Sequence, residues 1–210
     1  LKMKKSIFII LITLACAAGL EAQNSMDQAK QETSTFLKGL STTVNAENYK
    51  MFGLSSAEDV NQLEAGQVFA SSIIPLDRLK KYDGGDVKSL ITNINRVSCT
   101  VINRQTQQTV GLVDLEREKE RFVVKGFANS DLSTALGRIN KELLKQNFSI
   151  VRVPSLNTNF GSFTDADNKL KFVSLQNSSS LHSEIGEIQP AEDFLKRLVP
   201  LANEYNGLPW

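Results

Sequence analysis

Arg96-Val97-Ser98-Cys99-Thr100-Val101-Ile102, Thr109–Leu115 and Arg121-Phe122-Val123-Val124-Lys125-Gly126-Phe127 decide the fold class. Each run is short and rich in β-branched residues, which favour the pleated backbone. Gln105-Thr106-Gln107 and the charged Glu116–Glu120 separate them and read as turns. Connections this short favour antiparallel pairing of neighbouring strands. The period then changes. Leu132, Leu136, Ile139 and Leu143 fall on one face of a helix over Leu132–Gln146, with Ser130 or Asp131 as its cap.

The same order recurs downstream. Phe148–Pro154, Asn159–Phe163 and Lys169–Leu175 read as strands, and a polar loop runs from Asn177 to about Gln189. Pro190 opens a helix over Ala191–Tyr205, with Phe194, Leu195, Leu198 and Leu201 spaced for burial. Pro200 should bend or shorten it. The expected class is α+β: a mainly antiparallel sheet with helices on one face, and the order also fits two β-β-β-α units. Residues 23–210 read as a single α+β domain with a possible subdivision near 147.

Upstream, Phe36, Leu37, Leu40 and Val44 predict a helix over about 27–43. A short helix follows, capped by Ser55 or Ser56, with Val60 and Leu63 facing inward and Gly66 ending it. Gln67–Pro75 reads as a strand stopped by Pro75, and Leu76–Tyr82 as one or two helical turns. Val87–Ile94 fits either a short helix or an irregular crossing.

The first 22 residues carry a different signal. Lys2, Lys4 and Lys5 precede the uncharged run Ile7–Ala15, and small residues lead to Ala22. This is the pattern of a secretory signal peptide cleaved after Ala22. The apolar run falls short of the roughly 20 residues a spanning helix needs. Cys16 offers an alternative as a lipoprotein anchor, but Thr13 stands where a lipid-attachment sequence usually has Leu. The expected localisation is therefore export to the periplasm or beyond.

Without the leader, the 24 basic and 23 acidic residues lose Lys2, Lys4, Lys5 and Glu21, which leaves a net charge of about −1. No basic excess exists to neutralise phosphates, so no nucleic-acid partner is expected. Cleavage would also leave Cys99 as the one cysteine, without a partner for an intramolecular disulfide. Its strand setting predicts a small core hydrophobe.

Chemistry-bearing motifs are sparse. His182 is the only histidine and sits in the Ser-rich loop. One His and one Cys do not make a zinc site. No G-x-S-x-G elbow, phosphate-binding loop or dinucleotide fingerprint occurs. Asp165-Ala166-Asp167-Asn168 could offer oxygens to calcium, but it lacks the Gly and distant Glu of a calcium loop, so a hairpin turn is expected. No catalytic, cofactor-binding or metal-binding residue is assigned. Phe160 and Phe163 would lie on opposite sides of a strand, or both outward in a loop, where rings can serve sugar or peptide binding. The terminal Trp210 is expected to dock on the body.

Leu79, Tyr82, Gly85 and Asp86, followed by Val97–Ile102, Phe122–Phe127 and Phe148–Pro154, resemble an uncharacterised exported protein family of gut-type Bacteroidetes. The resemblance implies a setting and supplies no site residues. The expected function is a non-enzymatic binding protein of the periplasm or cell envelope, with a protein or glycan as partner. A protease-inhibitor or propeptide-like module is the alternative, and a hydrolase a more distant one.

Overall fold

The structure is a computed structural model that describes residues 23–128 and 131–207. The leader, the lipid-anchor cysteine Cys16, the Ser130 cap and the Trp210 tail lie outside the described residues. The chain folds as α+β around one mixed sheet of eight strands. In chain order these are β1 (Leu63–Ile73), β2 (Thr92–Asn103), β3 (Thr109–Glu118), β4 (Arg121–Ala128), β5 (Ser149–Val153), β6 (Thr158–Thr164), β7 (Leu170–Ser174) and β8 (Ile188–Pro190). Across the sheet the order is β4-β3-β2-β1-β5-β6-β7-β8. All neighbours are antiparallel except β1 and β5, which meet in parallel at the centre. Two antiparallel meanders are thus joined through their first strands.

The helices are α1 (23–40), α2 (Leu76–Lys80), α3 (Asp131–Arg138), α4 (Lys141–Leu144) and α5 (Ala191–Glu204). Among the described residues none is long and apolar enough to cross a membrane. Strand alternation sorts them between two faces. Val97, Cys99, Val101, Val113, Leu115 and Phe122 pack beneath Ala29, Leu37 and Leu40 of α1. On the same face of the other meander, Val151, Val153, Phe160 and Phe172 pack beneath Leu79 of α2 and Phe194, Leu195 and Leu198 of α5. Ile150 points the opposite way from Val151. With Phe69, Leu112, Phe163 and Val173 it packs against Ala135, Leu136 and Ile139 of α3 and Leu144 of α4. The shared-face arrangement expected from sequence therefore holds for α1, α2 and α5, while α3 and α4 take the second face.

Each meander has four strands and is followed by helix. A half-turn about an axis along the β1/β5 seam exchanges β1–β4 with β5–β8 and swaps the two faces, so α3 and α5 end on opposite sides. The expected units gain a strand each. The first begins with β1, and the second ends with β8, which lies where the sequence reads as loop. β8 has three residues and only Gln189 of them is buried, too little pattern to register in the sequence.

Three other boundaries move. Gly66 is inside β1, at a register shift between Ala65 and Val68, because β1 begins at Leu63. A Cβ there would meet Thr100 Oγ1 at 2.5 Å. The helix expected over Leu132–Gln146 breaks after Arg138, and Asn140 restarts it by accepting a hydrogen bond from the Glu142 backbone N–H at 2.9 Å. Val87–Leu90 is a 3-10 turn capped by Asp86, and β2 starts directly after it at Thr92.

The short α3 positions the open part of the molecule. Its eight residues reach about 12 Å, whereas a strand of twelve residues such as β2 runs about 40 Å. α3 and α4 cross the end of the sheet where β4 stops and β5 starts. The opposite half of that face, with Ser71, Arg96, Ser98, Asp114, Arg152 and Asn159, carries no helix among the described residues.

Candidate functional site

The bare half-face holds a polar cluster whose members stand between buried apolar residues on their strands. Ser98 lies between the buried Val97 and Cys99, Asp114 between Val113 and Leu115, and Arg152 between Val151 and Val153. Alternation sends the apolar neighbours to the helix-covered face and these three to the open one. Register then brings them together: Ser98 is opposite Asp114 in the β2/β3 pair, and Arg152 is opposite Ile73 in the β1/β5 pair. Arg152 Nη2 donates to Asp114 Oδ1 at 3.0 Å and Nη1 donates to Oδ2 at 3.4 Å. Nη2 also donates to Ser98 Oγ at 3.1 Å, and Ser98 Oγ donates to Asp114 Oδ1 at 2.6 Å. Ser71 Oγ lies 3.4 Å from Ser98 Oγ. The guanidinium is largely enclosed, and its Nε is buried without a partner.

Two hollows meet over this cluster. One, of about 590 Å³, is bounded by Asp131 and Leu132 at the start of α3 and by Leu175, Gln176 and Asn177 after β7. The other, of about 390 Å³, reaches Ser71, Ile73, Ile94, Arg96 and Pro154. Asp114, Arg152, Asn157 and Asn159 line both. Asn157 is left-handed, at φ +46°, directly before β6. The side-chain amides of Asn157 and Asn159 make no hydrogen bond among the described residues, whereas the Asn159 backbone N–H donates to Gln176 Oε1 at 3.2 Å. Asn177 Oδ1 accepts from the Ile185 backbone N–H at 3.0 Å.

Paired charges flank the cluster. Arg96 Nη2 donates to Glu116 Oε2 at 2.9 Å. Lys125 pairs with Glu118, and that contact holds the Glu118 carboxyl below its ordinary range and pushes the Lys125 ammonium above its own. Among the described residues the bare half-face is therefore polar yet internally compensated, with no cation left over to draw a polyanion.

The residues singled out from sequence fall elsewhere. Cys99 is fully buried under α1, where burial pushes its thiol up, against a smaller opposing effect of a hydrogen bond with Thr33. It is the core hydrophobe expected. Phe160 and Phe163 are on opposite sides of β6 and both are buried, so neither ring faces a ligand. Asp165 Oδ1 accepts the backbone N–H groups of Asp167 at 3.0 Å and Lys169 at 2.8 Å, and Asn168 takes φ +61°. The Asp-rich segment is thus a self-bonded hairpin turn. Among the described residues no group of three or more His, Cys, Asp or Glu is placed to hold a metal ion.

His182 lies in a left-handed turn at φ +45°, beside an open hollow of about 690 Å³ with Ser178, Ser179, Ser183, Glu184 and Glu187. Arg197 Nη1 ties the turn down by donating to the carbonyls of Leu181 at 2.8 Å and His182 at 3.1 Å. Among the described residues the imidazole bonds to neither serine nor carboxylate, and the Ser98–Asp114 pair lies on a different part of the sheet. Leu79, Tyr82, Gly85 and Asp86 do structural work in the β1–β2 connection. Leu79 is buried under α5, Tyr82 Oη donates to Gly85 O at 3.2 Å, and Asp86 caps a turn.

Sequence reasoning missed Ser98, Asp114, Arg152, Asn157 and Asn159 as a set. Arg152 is the lone charge of β5 and Asp114 the first charge after the apolar stretch of β3, and that is a readable signal. Their pairing is not, because 38 residues separate them. Comparison of the chain with protein-family models, curated proteins and solved structures finds no match.

Proposed function

We propose that this chain is an exported, non-enzymatic binding protein of the cell envelope, whose ligand occupies the paired hollows over Asp114 and Arg152. The observation that carries the reading is the set of unspent polar groups on a sheet face that no helix among the described residues covers. Asn157 and Asn159 offer amide donors and acceptors without protein partners, at a surface shaped as two joined concavities. Asn157 takes its left-handed backbone as the C-cap of the 3-10 turn Pro154–Leu156, where it lines both hollows. Volumes of 390 and 590 Å³ fall within the span of small-ligand sites. Export rests on Lys2, Lys4 and Lys5 ahead of Ile7–Ala15, and the resemblance to exported Bacteroidetes proteins agrees with it.

The test is amide chemical-shift mapping on the chain from residue 23 onward. The probe is a soluble cell-envelope digest separated into saccharide and peptide fractions. Shifts confined to Asp114, Arg152, Asn157, Asn159 and Gln176 with either fraction support the reading. Shifts centred on the 177–187 loop, or none with either fraction, overturn it. Recovery of the tagged full chain from the cytoplasm with residues 1–22 still attached would remove the export half.

A further inference from the structure

We propose that the ligand of these hollows is an uncharged, hydroxyl-rich saccharide of at least two sugar units, lying across the Asp114–Arg152 pair with a unit on either side. This rests on the binding reading above and narrows it to one chemical class.

Three features argue for that class. The first is charge. Both Nη groups of Arg152 are spent on Asp114 and Ser98, so its charge is already matched. Asp131 adds a further negative charge to the larger hollow. Over the two hollows Arg96 and Arg152 balance Asp114 and Asp131, and both cations are already paired, so a phosphate or carboxylate finds no free cation there.

The second is hydrogen-bonding type. A sugar hydroxyl both donates and accepts, and the best match is a set of groups that do the same or supply both functions side by side. Asn157 and Asn159 each carry one acceptor and an NH2 group. Asp114 Oδ2 holds only the 3.4 Å contact to Arg152 and keeps acceptor capacity. The Gln176 carbonyl is used by the Asn159 backbone, which turns its amide NH2 toward other partners. Leu132, half-buried at the start of α3, supplies apolar wall beside these groups, as the C–H face of a sugar ring requires.

The third separates a saccharide from an extended peptide. Peptide strands dock by pairing their backbone with a sheet edge. The hollows lie chiefly over β3, β5 and β6, which are interior strands whose N–H and C=O groups already bond to neighbours within the sheet. The edge strand β4 reaches the larger hollow only with its last three residues, Gly126, Phe127 and Ala128, a short stretch on which to pair an extended peptide. Two units follow from the layout: the four shared residues form a saddle between two concavities, and a single ring on the saddle would leave both walls uncovered.

The experiment is a calorimetric titration of the chain from residue 23 onward. The probes are β-linked glucose and N-acetylglucosamine oligomers of increasing length, which separate a plain polysaccharide from a cell-wall source. Affinity should rise by about tenfold from one unit to two in at least one series. Asn157→Gly keeps the left-handed backbone while deleting the amide, and Asn159→Ser deletes the second. Each should weaken the dimer or longer oligomer about tenfold with an unchanged melting temperature. No heat from either series at about ten times a 1 mM dissociation constant overturns the saccharide assignment. So does binding that both variants leave intact. A peptide fraction that shifts the same residues, with sugars silent, would sink this inference and leave the binding reading standing.

Discussion

Asp114→Ala tests whether the cluster on the bare half-face is one energetic unit. The substitution removes both Arg152 contacts to the carboxylate and the 2.6 Å bond from Ser98. It leaves a guanidinium whose Nε is already buried without a partner, held by Ser98 alone. Removing one member of a fully buried pair costs about 3–5 kcal/mol, and an exposed pair contributes less than about 1 kcal/mol. The Arg152 side chain is 28% exposed and that of Asp114 is 41% exposed, so the expected loss lies between, at about 2 kcal/mol. In a domain of this size that lowers the melting temperature by about 4–8 °C. Arg152→Met keeps the aliphatic stem and removes the charge. The double variant should then be more stable than the sum of the two single losses implies, by about 1 kcal/mol, because no stranded charge remains. Urea unfolding followed by circular dichroism reads all four proteins, and an unchanged denaturant slope would show that the unfolded state is not what moved. Single losses that add to within about 0.5 kcal/mol would refute the claim that the two side chains act together.

Gly161→Ala should cost about 1–3 kcal/mol, since its Cβ would run into the Phe148 ring and the Val173 methyl at 2.6 Å; a Phe148→Leu background should shrink that loss, as thermal unfolding can show. Cys99 should react with a thiol reagent only as fast as the protein opens, because it is buried and its thiolate is disfavoured; prompt stoichiometric labelling of the native chain would contradict the packing under α1. The Asp165 carboxyl is held below its ordinary value of 3.8, chiefly by the Lys169 backbone N–H and also by Lys171. Its folded value is depressed, so the stabilisation is present above 3.8 and is lost as pH falls through the lower folded value. Asp165→Asn should therefore flatten that part of the acid unfolding curve and leave the region above pH 5 parallel to wild type.

Much of the fold is legible along the chain. β2, β3 and β5 follow from β-branched runs, β6 and β7 from short aromatic segments bounded by turn residues, and α5 from Phe194, Leu195 and Leu198 at helical spacing, with Pro190 before it. The misreadings have local causes. Gly66 reads as a helix stop, but tertiary pairing with Thr100 and Ile102 gives it a different use, at a bulge where a side chain has no room. The break between α3 and α4 is hidden because Leu136, Ile139 and Leu143 keep helical spacing across it. Asn140 is an acceptable helix residue that happens here to cap a new turn. β8 is too short to carry a period.

The candidate site was less legible for a different reason. Arg152 stands out as the single charge of β5 and Asp114 as the first charge of β3, yet their meeting depends on β1 pairing with both β2 and β5. That parallel seam joins segments about 80 residues apart and has no turn between its strands to announce it. By itself the sequence determined the α+β class, the strand-rich meanders and the burial of Cys99, because these follow from local period and side-chain chemistry. Only the tertiary structure decided the order of strands, the face each helix covers and the half-face left bare by the short α3. Those depend on which distant strands hydrogen-bond, and alternation then turns one register into two unlike surfaces.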